Sequence, residues 1–217
     1  MNIQDTPNSS RIERKKEKTK QKIIAVAIRL FKEQGIDAST MEQIAEEVDI
    51  AKGTLYNYFP VKEAIIAEYI KQAFSEKNPG RINKLQEMPD TKSRMVLVLT
   101  ELIKGVQAQK EIFERYLTYR TKNVVSLRKE ESAKSGIERL SFEIIKLGQR
   151  NGEIREDLPM VLLQDLFEFV FVEVAKPFFL EPETYDARET IERCVSVFMN
   201  GVKDPNFNPN NKPVKEN

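Results

Sequence analysis

Apolar residues recur along most of this chain at three- and four-residue spacing, the period of helices that bury one face. Ile23, Ala27, Leu30 and Phe31 mark a first helix over residues 19–34, closed by Gly35, a residue able to take positive φ. Thr40 followed by Gln43 forms a capping-box pattern for a second helix, buried through Met41, Ile44, Ala45 and Val48. Beyond Asp49-Ile50-Ala51, a third helix from residue 52 to 58 is too short to be stable alone. Pro60 ends it, and a fourth helix is expected over residues 61–76.

Asn78-Pro79-Gly80 then predicts a break before a larger helical region. Asp90 precedes a fifth helix with Met95, Leu99, Leu102, Ile103 and Val106 on one face. Further helices are expected over 111–120, 135–150, 159–176 and 184–201, with Asn151-Gly152 as a stop and Pro177 and Pro182 bounding a loop. The run FVFVEV at 169–174 is β-prone in isolation but lies inside a helical stretch. The fold class is therefore all-α: an N-terminal three-helix unit with a helix-turn-helix, followed by a larger C-terminal helical bundle. The expected divisions are a flexible basic arm (1–18), the helix-turn-helix domain (19–65), the helical bundle (66–203) and a disordered tail (204–217).

Composition narrows the chemistry. Histidine is absent and cysteine occurs once, so there is no imidazole base, no Ser-His-Asp or Cys-His pair and no His- or Cys-rich zinc site. With no Gly-rich phosphate loop either, an enzyme has no identifiable catalytic constellation, and no cofactor or metal is expected. Cys194 alone allows no disulfide within the chain, which fits a cytoplasmic protein. Neither an apolar N-terminal core nor a run of eighteen apolar residues occurs, so no signal peptide and no membrane partner are expected. The formal charge is only +1, yet seven basic residues lie between Arg11 and Lys22 against Glu13 and Glu17. This stretch reads either as a solvated, frayed helix end or as an arm that meets phosphates.

The third helix carries the most specific signal. At about 100° per residue, Leu55 and Phe59 point together, while Gly53, Thr54 and Asn57 point the other way, flanked by Tyr56 and Tyr58. A plain helical corner has little use for such a face; a surface that enters a DNA groove does, with small polar groups at base edges and phenols at phosphates. Gly53 costs a short helix about 1 kcal/mol relative to alanine, which is easier to understand where backbone approaches another molecule. Lys52 and Lys62 stand just before and just after this helix.

Residues 20–65, KQKIIAVAIRLFKEQGIDASTMEQIAEEVDIAKGTLYNYFPVKEAI, resemble the DNA-binding region of the tetracycline-repressor (TetR) family of bacterial regulators. The matching positions are Ala27, Leu30-Phe31, Gly35, Thr40, Ile44-Ala45, the run from Lys52 to Phe59, and Lys62-Glu63. Asp49 stands where glycine is frequent and tolerates the same left-handed turn; Ala51 replaces the usual Ser/Thr cap. The resemblance implies that Lys52, Gly53 and Thr54 approach bases, that Tyr56, Asn57 and Tyr58 hold phosphates or a further base, and that Thr40 and Lys62 contact phosphates. It further implies a homodimeric regulator of palindromic operator DNA, released by a small-molecule effector.

Past residue 70 the resemblance fades. The helix over 159–176 is apolar nearly all round, so it must be covered on a second side. Ile191, Val195, Phe198 and Val202 form a seam in the last helix; with Val172 they are the expected dimer interface. The alternative is one thick core. Leu102, Val106, Phe113, Tyr116, Phe167 and Phe171 are candidate pocket residues, and their character favours a lipophilic ligand. The fourth helix, continuous with the reading head, is the expected route of coupling. A ligand-independent regulator and an all-helical protein-interaction module remain as alternatives.

Overall fold

The computed structural model describes residues 7–125 and 136–203. Among these it contains nine helices: α1 (Pro7–Gln34), α2 (Met41–Val48), α3 (Lys52–Tyr58), α4 (Lys62–Glu87), α5 (Thr91–Ala108), α6 (Lys110–Val125), α7 (Gly136–Arg150), α8 (Met160–Leu180) and α9 (Ala187–Val202). Among the described residues the one extended pairing is an isolated antiparallel bridge between Ile154 and Lys203. No described helix is long and apolar enough to cross a membrane. The tail expected to be disordered, 204–217, lies outside the described residues.

Local chemistry sets most boundaries. Gly35 closes α1 at φ 88°, and Asp90 caps α5 by accepting from the Ser93 amide at 2.7 Å. At α2, Thr40 accepts from the Gln43 amide at 3.1 Å. The reciprocal half of the capping box is missing, because the Gln43 side chain pairs with Gln34 instead. The last helix starts at Ala187 rather than Thr184, since the Asp186 carboxylate accepts from the Glu189 amide at 2.9 Å.

Three expected interruptions do not occur. α1 begins at Pro7, so residues 7–18 of the expected flexible arm are helix. α4 runs through Asn78-Pro79-Gly80 to Glu87. Its burial continues there: Asn78 is covered and donates to the Gly136 carbonyl at 3.0 Å. One turn on, Arg81 lies over the Phe74 ring and binds Glu101 at 3.0 Å. Pro79 sits on the exposed side, where water can take the carbonyl its ring leaves unpaired. The boundary expected after residue 65 thus falls inside one helix. α8 likewise passes Pro177 and ends at Leu180, with Phe178 and Phe179 packed on the core.

α1–α3 and the start of α4 form the head, around Ile23, Ala27, Phe31, Ile44, Leu55 and Ile65. The second body packs α4, α5, α7, α8 and α9 together. A buried polar knot holds its edge: Arg94 donates to the carbonyls of Leu85 and Met88. The partner of its charge is Glu153, 3.5 Å away, which also accepts from the Thr91 amide at 2.5 Å. Removing one member of a buried pair strands the other's charge. Glu153→Ala is therefore expected to cost about 3–5 kcal/mol in urea denaturation; a loss of less than about 1 kcal/mol, the surface-pair range, would show that Arg94 is held by the carbonyls alone.

Candidate nucleic-acid interface

The turn between α2 and α3 is built from backbone. Asp49 takes the left-handed conformation, φ 61°, and its amide closes α2 on Ala45 and Glu46. Ala51 is extended and caps α3 without a side-chain hydrogen bond; its carbonyl accepts from Thr54 and Leu55 at 2.9 and 3.2 Å. Leu55 and Phe59 are buried in the head's core. The opposite side presents Lys52, Gly53, Thr54, Tyr56 and Asn57 to solvent, as the periodicity predicts. Tyr58 is half-buried and packs partly on the core.

Gly53 is informative because nothing within the chain asks for glycine. Its φ lies outside the left-handed region, and a Cβ built there meets no atom within 4 Å. Neither conformation nor internal packing excludes alanine at this position. Beside it, Lys52 lies 3.7 Å from Glu42 in an exposed pair worth at most about 1 kcal/mol, readily exchanged for a phosphate. The Thr40 hydroxyl accepts the α2 capping bond and keeps its own proton to donate.

Lys62 is already engaged within the chain. Its ammonium donates to the carbonyls of Ile36 and Ser39, at 2.6 and 2.8 Å, and pins the α1–α2 loop to the start of α4. The same loop is gripped from α6. Glu111 accepts from the Ile36 amide at 3.0 Å, and Arg115 donates to both carboxylate oxygens of Asp37 at 2.5 Å. α4 is therefore not the only helix that touches both the head and the second body. Sequence reasoning missed Glu111, Arg115 and Asp37, which have no local pattern and meet only across the fold.

The six candidate pocket residues come together, but as packed core: Leu102, Val106, Phe113, Tyr116, Phe167 and Phe171 are all buried. Burial pushes the Tyr116 phenol up to about 12. None of them lines the cleft of about 300 Å³ that opens between α4, α7 and α8, walled by Lys71, Ser75, Asn78, Arg139, Phe142 and Gln164. The proposed dimer seam is also internal. Ile191, Val195, Phe198 and Val202 are buried within the chain, with Phe198 edge-on to Phe167 at 6.2 Å; Val172 is half-buried. What stays exposed is the other side: Val161, Leu162, Leu166 and Phe169 on α8, and Val197 on α9.

Residues 23–69 match the family of bacterial regulatory proteins described as the tetR family. The fatty acid metabolism regulator protein of Bacillus subtilis (strain 168) is 22% identical over 181 residues, 83% of this chain and 93% of that protein. The biofilm operon icaADBC negative transcriptional regulator IcaR of Staphylococcus aureus (strain Newman) is 42% identical over 59 residues, 27% of this chain and 32% of IcaR. Among solved structures, Thermus thermophilus FadR, a TetR family transcriptional repressor in complex with lauroyl-CoA, superposes with a TM-score of 0.72 at 21% identity, covering 87% of this chain and 98% of that one. Bacillus subtilis FadR in complex with stearoyl-CoA gives 0.57 at 20% identity, covering 84% and 98%.

Gly53→Ala separates the internal from the external role of the α3 surface. It is expected to raise helix stability by up to about 1 kcal/mol while weakening binding to duplex DNA. Tyr56→Ala and Lys52→Ala should each cost on the order of 1–3 kcal/mol of operator affinity at fixed salt, with the fold intact by circular dichroism. Unchanged affinity in all three variants would remove α3 from the interface.

Proposed function

Given that this chain is a member of the tetR family of bacterial regulatory proteins, we propose that it is a homodimeric transcriptional repressor whose α3 reads a palindromic operator and which a small lipophilic ligand releases. The observation that carries the DNA-binding reading is the exposed Gly53, Thr54, Tyr56 and Asn57 surface opposite the buried Leu55 and Phe59. Two such helices must lie about 34–36 Å apart, one turn of DNA, to enter successive major grooves. A dimer sets that separation.

The surface for the dimer is the exposed apolar face of α8 with Val197 of α9, rather than the internal seam. Large apolar side chains such as Phe169, 64% exposed, and Val197, 75% exposed, are stabilised by a covering partner. A second copy offers the same face, as an isologous contact requires. Phe169→Glu and Val197→Glu are expected to give folded monomers in sedimentation, whereas Val195→Glu, inside the chain, should unfold the protein. A monomeric wild type at micromolar concentration would overturn the dimer.

The lipophilic effector is supported by the acyl-CoA ligands of the two FadR structures and by the α4–α7–α8 cleft, which has an apolar wall at Phe142 beside Lys71, Arg139 and Glu138. Because α4 continues from that cleft to Lys62, a ligand that displaces it moves the pinned α1–α2 loop and with it the reading head. Couplings of about 1–3 kcal/mol are ordinary for such linkage and are reciprocal. An acyl-CoA titrated against free and DNA-bound dimer is expected to bind the DNA-bound form about 5–150-fold more weakly. Binding with equal affinity to both forms would mean that this ligand does not release the operator.

A further inference from the structure

The segment from Arg11 to Lys18 of α1 is exposed at every residue, so it is held by continuing α1 rather than by packing. A solvated helix of this kind needs no particular order of charges, yet here they are sorted by sign. At about 100° per residue, Arg11, Arg14, Lys15, Lys18 and Lys22 fall within about 100° of arc. The opposite side mixes Lys16 and Lys20 with Glu13 and Glu17 and is neutral.

Two contacts fix where the basic stripe faces. Lys22 donates to the Val48 carbonyl at 2.7 Å, and Arg29, on the same line of the helix, binds Glu47. Both partners lie at the C-terminal end of α2, where the chain turns into α3. On the other side, Lys20 meets Glu68 of α4 at 2.8 Å. The stripe thus follows the flank of α1 that carries the α2–α3 turn and looks away from the second body.

We infer that residues 11–22 of α1 form a helical rail for the phosphate backbone of the DNA flanking each half-site, adding affinity without reading bases. The row is about 16 Å long at 1.5 Å per residue, which suits a line of phosphates rather than a single anionic group. A membrane surface fits less well: an interfacial helix needs an apolar face, and Ile12 is the only large apolar side chain between Arg11 and Lys22. The inference rests on α3 being the reading helix, because that places DNA on this flank.

Lys18→Ala and Lys16→Ala change the charge equally, two residues apart, on and off the stripe. Both full-length variants are titrated over a salt series against a duplex of about three helical turns that the wild-type protein itself selects in vitro. The same duplex is then used with its flanks trimmed. Lys18→Ala is expected to reduce the salt slope by about 0.9 per lost phosphate contact, about 1.8 for a dimer, and trimming should abolish the difference. Lys16→Ala should keep the wild-type slope. Equal slopes for the two variants overturn the rail. So does an unchanged DNA slope in Lys18→Ala together with reduced sedimentation on phosphatidylglycerol vesicles, which would assign the stripe to lipid. Failure of the α3 reading looks different: Lys52→Ala and Tyr56→Ala would then retain the wild-type preference for the selected duplex.

Discussion

A seven-residue helix with a glycine at its second position and no side-chain cap does not hold itself together in water. α3 exists because Leu55 and Phe59 are buried, a contribution of roughly 3–6 kcal/mol for two such side chains. That outweighs about 1 kcal/mol each for Gly53 and for the absent cap. All of the holding is done from one side, and the other side is released from any duty to the fold. That side presents a glycine with empty space around it, two small polar residues, a tyrosine and a lysine in a weak exposed pair.

The head, in turn, is attached to the second body by few and unequal bonds. The Glu111 carboxylate on α6, which accepts from the Ile36 amide at 3.0 Å in a part-buried bond, is the firmer tie. The Arg115–Asp37 pair is largely exposed and belongs to a class worth about 0–1 kcal/mol. At the far end of α6, Arg120 binds both oxygens of Glu168 on α8, the helix with the exposed apolar face. A chain of contacts therefore runs from α8 through α6 to the α1–α2 loop, in parallel with α4. For an effector to act through these links it must bind the two arrangements differently by about 1–3 kcal/mol, the ordinary scale of such coupling.

What was legible in the sequence was local. The Thr40 cap, the left-handed Asp49 and the two faces of α3 follow from residue type and helical period over a few positions. The misreadings share a cause: a strong local signal overruled by packing at a distance. Pro79 is a helix breaker by propensity, but Asn78, Arg81 and Leu85 find partners on either side of it, and α4 continues. The seam at Ile191, Val195, Phe198 and Val202 is correctly apolar, but period alone does not say whether its partner is α5 and α8 of the same chain or another chain. Period alone likewise does not separate a pocket lining from packed core for the buried Phe113, Tyr116, Phe167 and Phe171. Lys62 and Glu111 were beyond reach because their partners are backbone groups brought near by the fold.

With a net charge of +1, no long-range field of the whole molecule draws it toward a polyanion. Affinity for DNA must then come from cations placed where they touch. α3 carries only Lys52, leaving its surface to small groups that tolerate close approach to base edges. The cations sit on α1, tied to the end of α2 through Lys22 and Val48 and sharing one core with α3. Under the proposed reading, base contacts on α3 and phosphate contacts on α1 are separated by helix but carried on one head. In a dimer, any movement that takes α3 out of its groove also lifts α1 from the backbone. Both contributions fall together, so the coupling required of an effector is that for displacing one body, not for breaking each contact in turn.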